Sequence, residues 1–209
     1  MCVRFGQSST AKGILEKLKA AIDDIPLPRD DIFPGEMGQI VLSDPDGDKR
    51  LVVARWGLTP HWAKEADYGK KHAYNARSET IREKPTFREA FKKRRCVIPA
   101  SAIYERAEGR WLRLVPIQVE AFPIAGLWEP ANDVSGSITF TMATTEPNET
   151  MAKVHDRMPV ILDESDMALW MAADAPTEGL RSLLLPCPPE WLAIEDAGPI
   201  TRKSPSLFA

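Results

Sequence analysis

Residues 96–119 read CVIPASAIYERAEGRWLRLVPIQV. Three candidate strands follow one another inside this stretch: CVIPA, AIYER and WLRLVPIQV. Each is short, apolar or alternating, and rich in the residues that suit a pleated, half-buried surface. Outward from it the pattern repeats. GQIVLS and RLVVARW flank the turn sequence PDGD and predict a hairpin, while PIAGLW, ITFTMAT and MPVIL supply further strands. Helices are fewer. Ile14, Leu15, Leu18, Ala21 and Ile22 recur at helical spacing ahead of Pro26 and Pro28, Thr86 and Glu89 form a candidate capping box before Phe87, Ala90 and Phe91, and DESDMALWM and TEGLRSLLL predict two more. Eighteen prolines and no long heptad run argue against a helical bundle. The expected fold is α+β, a mostly antiparallel, barrel-like β core with peripheral helices.

With 209 residues the chain reads as one domain, 1–209, whose tail TRKSPSLFA (201–209) is expected to be mobile. Three scattered cysteines, Cys2, Cys96 and Cys187, form no CxxC pair and no metal-ligand spacing, as in a protein of a reducing cytosol. No metal or organic cofactor is implied. No secretory h-region and no membrane-length apolar run is present, so a cytoplasmic or nucleoid-associated protein is expected. A formal net charge of −3 gives no general reason to bind nucleic acid, and such binding requires a local groove. Nothing in the chain demands more than a monomer.

Cysteine at position 2 stands out. Removal of the initiator methionine would leave a thiol and a free α-amine two bonds apart. An α-amino group with a pKa of about 7.7–8.0 is partly neutral at pH 7, unlike lysine at about 10.4. Three other polar residues stand where a core pattern does not need them. Glu105 follows the apolar run Ala102, Ile103, Tyr104, and is either a solvated strand-end charge or a carboxylate with a raised pKa beside a cleft. His155 lies in HDRMP, where Asp156 fixes the imidazole or pairs with Arg157. Asn75, in YNARSET, donates to a phosphate, a sugar or an oxyanion, or closes a turn. Basic residues cluster from Arg77 to Arg95, a candidate phosphate-binding face diluted by Glu79, Glu83 and Glu89. Arg4 and Arg77 are the stronger phosphate candidates, each lying close in sequence to a site candidate. Of Trp56 and Trp62, the first is expected in the core and the second on the surface, where it can stack on bases.

In order, MCVRF, RWGLTPHW, NARSET, RRCVIPASAIYE, IAGLWE, FTMATT and VHDRMPVIL resemble the SRAP family, the SOS response-associated peptidases, over residues 1 to about 170. The resemblance implies a domain that binds single-stranded DNA and cross-links covalently to abasic sites after loss of Met1. It assigns chemistry to Cys2, Asn75, Glu105 and His155: Cys2 as amine and thiol nucleophile, Glu105 as proton shuttle, His155 in sugar-ring opening or in protonating the departing oxygen, Asn75 in orienting Cys2 or the sugar. It also implies DNA contacts at Arg4, Arg77, Trp62, Pro34, Arg106 and Thr144. This chain departs from the family pattern at Val3, where glycine is usual, at Arg106, where an aromatic is usual, and at Ala63, where a second tryptophan is common. Two other classes compete: a cysteine peptidase using Cys2 and His155, and a non-catalytic single-strand-binding module.

Overall fold

The computed structural model describes residues 2–7, 12–22, 29, 31–43 and 47–200. Its core is a closed ring of strands. The expected hairpin is β3 (Met37–Ser43) against β4 (Lys49–Trp56), in register from Met37↔Arg55 to Ser43↔Lys49. Its other neighbours come from the middle of the chain: β6 (Arg95–Ala100), β9 (Phe122–Glu129) and β10 (Thr139–Thr145). The order runs β4-β3-β6-β9-β10, and parallel pairing of Thr139 with Arg55 and Phe140 with Trp56 joins β10 back to β4. Closure removes the unpaired edges that an open sheet would expose. Short strands border the ring: β2 (Ala21–Ile22) on β4, and β5 (Asn75–Arg77) and β11 (Met158–Pro159) on β10. A second sheet, in the order β1-β7-β8-β12, comprises β1 (Arg4–Gly6), β7 (Ala102–Ala107), β8 (Arg110–Pro116) and β12 (Leu192–Pro199).

The period-2 alternation of the strands sorts their side chains into two apolar layers. Ile40, Cys96, Ile98, Ile124, Phe140 and Met142 join Phe5, Ile103 and Leu114 of the second sheet, and Cys2 lies in this layer. The alternate set, Val41, Val97, Ala125, Leu127 and Ala143, packs against the helices. These are α1 (Lys12–Leu18), α3 (Arg88–Lys93), α4 (Glu164–Met171) and α5 (Thr177–Ser182); α2 (Tyr68–His72) lies between β4 and β5 in the chain. Arg95 is buried and, among the described residues, has no carboxylate partner. Its guanidinium instead donates to Phe91 O, Lys92 O, Trp170 O and Ala172 O, tying off the carbonyl ends of α3 and α4.

Several sequence expectations are corrected. The helix through Ile22 stops at Leu18, because Lys19 takes φ 52° and the chain closes a Schellman pair, Lys19 N to Glu16 O and Ala20 N to Leu15 O. Ala21 and Ile22 then pair with Arg50 and Leu51. The capping box is absent: α3 begins at Arg88, and the Thr86 hydroxyl bonds the Tyr68 hydroxyl at 3.1 Å. WLRLVPIQV ends as a strand at Pro116, leaving Ile117 and Val119 exposed. MPVIL holds only the two-residue β11 and an isolated bridge at Ile161. Pro26, Pro28, the residues 44–46 of the hairpin turn and the tail 201–209 lie outside the described residues.

One close approach is decisive for stability. Gly57, at φ 130°, packs its backbone against Gly69 at the start of α2, and a Cβ on Gly69 would fall inside the van der Waals envelope of the Gly57 carbonyl. Gly69→Ala is therefore expected to destabilise by roughly 3 kcal/mol or more, read as a lower urea midpoint, because backbone rather than a flexible side chain must move.

Candidate functional site

The register of β1 against β7 brings the N-terminus to Glu105. Arg4 lies opposite Tyr104 and Phe5 opposite Ile103. On β7, Glu105 shares its face with Ile103, which points into the layer that also holds Cys2. Glu105 is only 2% exposed, and its Oε1 has no hydrogen-bond partner. A carboxylate buried without donors is unfavourable as an anion. Burial, opposed by the N-terminal amine and reinforced to a smaller extent by the charge of Asp156, accordingly pushes Glu105 up to about 7. The solvated strand-end reading is thereby excluded.

Cys2 is buried, and its thiol points at Arg4 O, 3.6 Å away. Burial first, then the neighbouring charge of Glu105, drives the thiol well above its ordinary range. Asn75 arrives on β5, whose parallel pairing sets Asn75 opposite Met142 and Arg77 opposite Thr144. Its Nδ2 donates to Cys2 O at 2.8 Å, while its buried Oδ1 has no partner. Asn75 thus sits in a strand and holds the backbone of Cys2, rather than closing a turn. Two acceptors without donors, Asn75 Oδ1 and Glu105 Oε1, therefore belong to side chains grouped around Cys2, a site short of N–H or O–H groups.

His155 follows the short 3-10 turn Met151–Lys153 and lies against Asp156, whose Oδ1 is 2.8 Å from Nδ1. The same Nδ1 accepts the backbone N–H of Arg157 at 3.0 Å. Burial lowers the His155 pKa, favouring the neutral ring at pH 7. The structure so resolves the HDR motif: Asp156 faces the imidazole, and Arg157 pairs with Glu79. All four candidates meet in one region, His155 through the field of its neighbour Asp156 on Glu105.

Tyr74 was not singled out by sequence. Burial, then the charges of Cys2 and Glu105, push its phenol up, and its ring packs edge-on to Trp56 with centroids 6.0 Å apart. Its position next to Asn75 in YNARSET was the only available signal. Arg157 also escaped selection as a site residue in its own right.

The residues suggested as DNA contacts are disposed unequally. Arg4 Nε donates to Asp31 Oδ1 at 2.5 Å, and its guanidinium stands 4.0 Å from the Tyr104 ring centroid and 4.8 Å from that of Trp111. A phosphate would have to replace Asp31 at this cation. Arg106 is exposed and lies 4.7 Å from the Trp111 centroid. Arg77 is exposed at the end of β5. Trp62 is 44% exposed and edge-on to Tyr68, whereas Trp56 is fully buried. Pro34 is buried beside Gly35, which faces Lys70 of α2. Thr144 is buried with its Oγ1 unpartnered. In the basic stretch, Arg82 pairs with Glu178, Lys92 with Glu89 and Arg94 with Glu129, and Arg95 is internal, so much of that charge is spent within the protein. Among the described residues, no cluster of three or more His, Cys, Asp or Glu is arranged to hold a metal ion, and no helix is long and apolar enough to cross a membrane.

Known proteins are similar to this chain in sequence and in fold. The Abasic site processing protein YoqW of Bacillus subtilis is 36% identical over 204 residues, covering 89% of this chain and 87% of that protein. The Abasic site processing protein HMCES of Xenopus tropicalis is 31% identical over 173 residues, 68% of this chain and 52% of its own length. A crystal structure of a Bordetella bronchiseptica protein superposes with a TM-score of 0.80 at 27% identity, covering 94% of this chain and 99% of that one. A Bacteroides thetaiotaomicron protein superposes at 0.81 with 25% identity over 93% of this chain and 91% of that one. The sequence model of the SOS response associated peptidase family matches residues 1–198, and the chain belongs to that family, SRAP.

Proposed function

We propose that this protein processes abasic sites in single-stranded DNA by forming a covalent thiazolidine through Cys2 once Met1 has been removed, acting as one domain over residues 1–209. The observation that carries this reading is the burial of Cys2 within electrostatic reach of Glu105, a buried carboxylate raised to about 7 with an unpartnered oxygen.

In the proposed chemistry the ring-opened abasic sugar presents an aldehyde. The Cys2 α-amine attacks its carbon, one water leaves, and an imine forms. The thiol then adds across the C=N bond: sulfur bonds to carbon, and the imine nitrogen gains a proton. The net change is loss of one water. A group titrating near 7 suits both halves, since its carboxylate takes a proton from the attacking amine and its acid returns one to the departing hydroxyl. Asn75, which holds Cys2 O, would orient the amine with its unpartnered Oδ1 as acceptor. His155 would assist ring opening. Arg4, Arg77 and Arg106 would meet phosphates, and Trp62, Pro34 and Thr144 would meet the strand beside the lesion.

A cysteine-peptidase reading asks Cys2 to be a thiolate. Burial and the adjacent carboxylate oppose that ionisation, whereas thiazolidine closure begins from an imine and tolerates a neutral thiol. The test is a denaturing gel after incubation with an oligonucleotide carrying one abasic site. A heat-resistant shifted band with the lesion, none with an intact oligonucleotide and no cleavage of a peptide panel are expected. Peptide turnover without a band would support the peptidase, and salt-sensitive binding without a band the non-catalytic module.

A further inference from the structure

His155 Nδ1 has two neighbours that make opposite demands on it. The backbone N–H of Arg157, 3.0 Å away, requires Nδ1 to be an acceptor and therefore places the ring proton on Nε2. The Asp156 carboxylate, 2.8 Å away, is satisfied only when Nδ1 carries a proton, as Nδ1–H or as imidazolium. The side chain of Asp156 is 87% exposed. Which neighbour prevails depends on how firmly the Arg157 backbone is held.

It is held from outside the motif. Glu79, just past β5, takes Arg157 in a two-point grip, Nη1 to Oε1 at 2.5 Å and Nη2 to Oε2 at 3.0 Å. Nη2 also donates to Thr144 O at 2.8 Å. The Arg157 side chain is 12% exposed and that of Glu79 53%, so the cation is largely desolvated while its partner remains at the surface. Two parallel N–H···O bonds fix a guanidinium in direction as well as position. The Thr144 bond ties it to the strand paired with β5, so the clamp bridges the Asn75 strand and the His155 turn.

We propose that Glu79 is a positioning residue: through its grip on Arg157 it keeps the Arg157 N–H on His155 Nδ1 and so maintains the Nε2–H tautomer. The proposal rests on the reading of His155 as a proton donor in abasic-site chemistry, because an Nε2–H ring carries its proton on the nitrogen opposite the one that Asp156 and Arg157 contact. The charged groups acting on this turn are the N-terminal amine, Asp156, Arg157, Glu79 and, through Asp156, Glu105. Removing Glu79 leaves Asp156 as the stronger claimant on Nδ1.

The test is nitrogen-15 NMR of the histidine rings at pH 8 in the full chain, compared with Glu79→Gln and Arg157→Met. Three histidines make the assignment tractable. The expected result is an Nε2–H ring for His155 in the parent protein and a shift toward Nδ1–H in both variants. Cross-linking at saturating abasic oligonucleotide should fall roughly tenfold in Glu79→Gln, part of the 10²–10⁴ that a proton-transfer group contributes. Glu79→Asp, which keeps the charge, should recover part of both. An Nε2–H tautomer unchanged in both variants would overturn the proposal. A parent protein that shows the tautomer shift on mutation yet never cross-links would instead overturn the function reading and leave the positioning role standing.

Discussion

Glu105→Gln is expected to slow cross-linking to an abasic oligonucleotide by about 10²- to 10⁴-fold while making the protein more stable at pH 8. The two effects share one cause. Glu105 is buried, its Oε1 has no donor, and its pKa is raised from an ordinary 4.5 to about 7. Between those values the unfolded chain releases the proton and the native protein keeps it. Stability associated with this group is thus full below about pH 4.5, declines as pH rises toward 7, and is lost above 7. The penalty at pH 8 is on the order of 3 kcal/mol. Glutamine never ionises, so the variant should melt higher than the parent at pH 8, with the difference vanishing below the unfolded-state value of 4.5. Thermal melts across that range check the sign, and single-turnover gels check the rate. A variant equally active at pH 7 would remove Glu105 from the chemistry, and one less stable at pH 8 would contradict the unfavourable buried anion.

The second large effect is expected from Cys2→Ser. Serine is still small enough to permit loss of Met1, so the α-amine survives while the thiol does not. Heat-stable adduct should be abolished. An imine trapped by borohydride should persist, because the amine attacks first and the thiol only closes the ring. Sensitivity to reductant therefore separates the two steps: the parent adduct withstands heat without borohydride, and the serine adduct requires it. Equal heat-stable product from parent and variant would eliminate the thiol step.

Most of the β core is legible in sequence because its strands are continuous apolar runs between turn residues. CVIPA and ITFTMAT need no partner to be recognised, and GQIVLS and RLVVARW declare a hairpin. β12 is not legible. Its sequence LAIEDAGP carries two acids and a glycine, and it becomes a strand through its antiparallel pairing with β8, across which Glu195 and Asp196 also meet Arg113 and Arg110. β5 is three residues long and exists through its parallel pairing with β10. Helix ends fail for local reasons, as when Lys19 adopts a conformation more usual for glycine.

The site divides in the same way. Cys2, Asn75, Glu105 and His155 are visible as polar residues in apolar or motif-bearing surroundings. Their convergence is not, since it depends on Arg4 pairing with Tyr104 and Asn75 with Met142, contacts far apart in the chain. Arg4 reads as a free cation in sequence but is clasped by Asp31 and an aromatic face. Glu79 reads as dilution of a basic stretch and instead becomes the partner of Arg157, 78 residues away.

The most direct measurement is the intact mass of the heat-treated product formed with a single-stranded oligonucleotide carrying one abasic site, without added reductant. The expected mass is that of the protein lacking Met1 plus the oligonucleotide minus one water, with peptide mapping placing the bond at residue 2. A product that retains Met1, maps elsewhere, or fails to form from protein with a mature Cys2 terminus would contradict thiazolidine formation at Cys2.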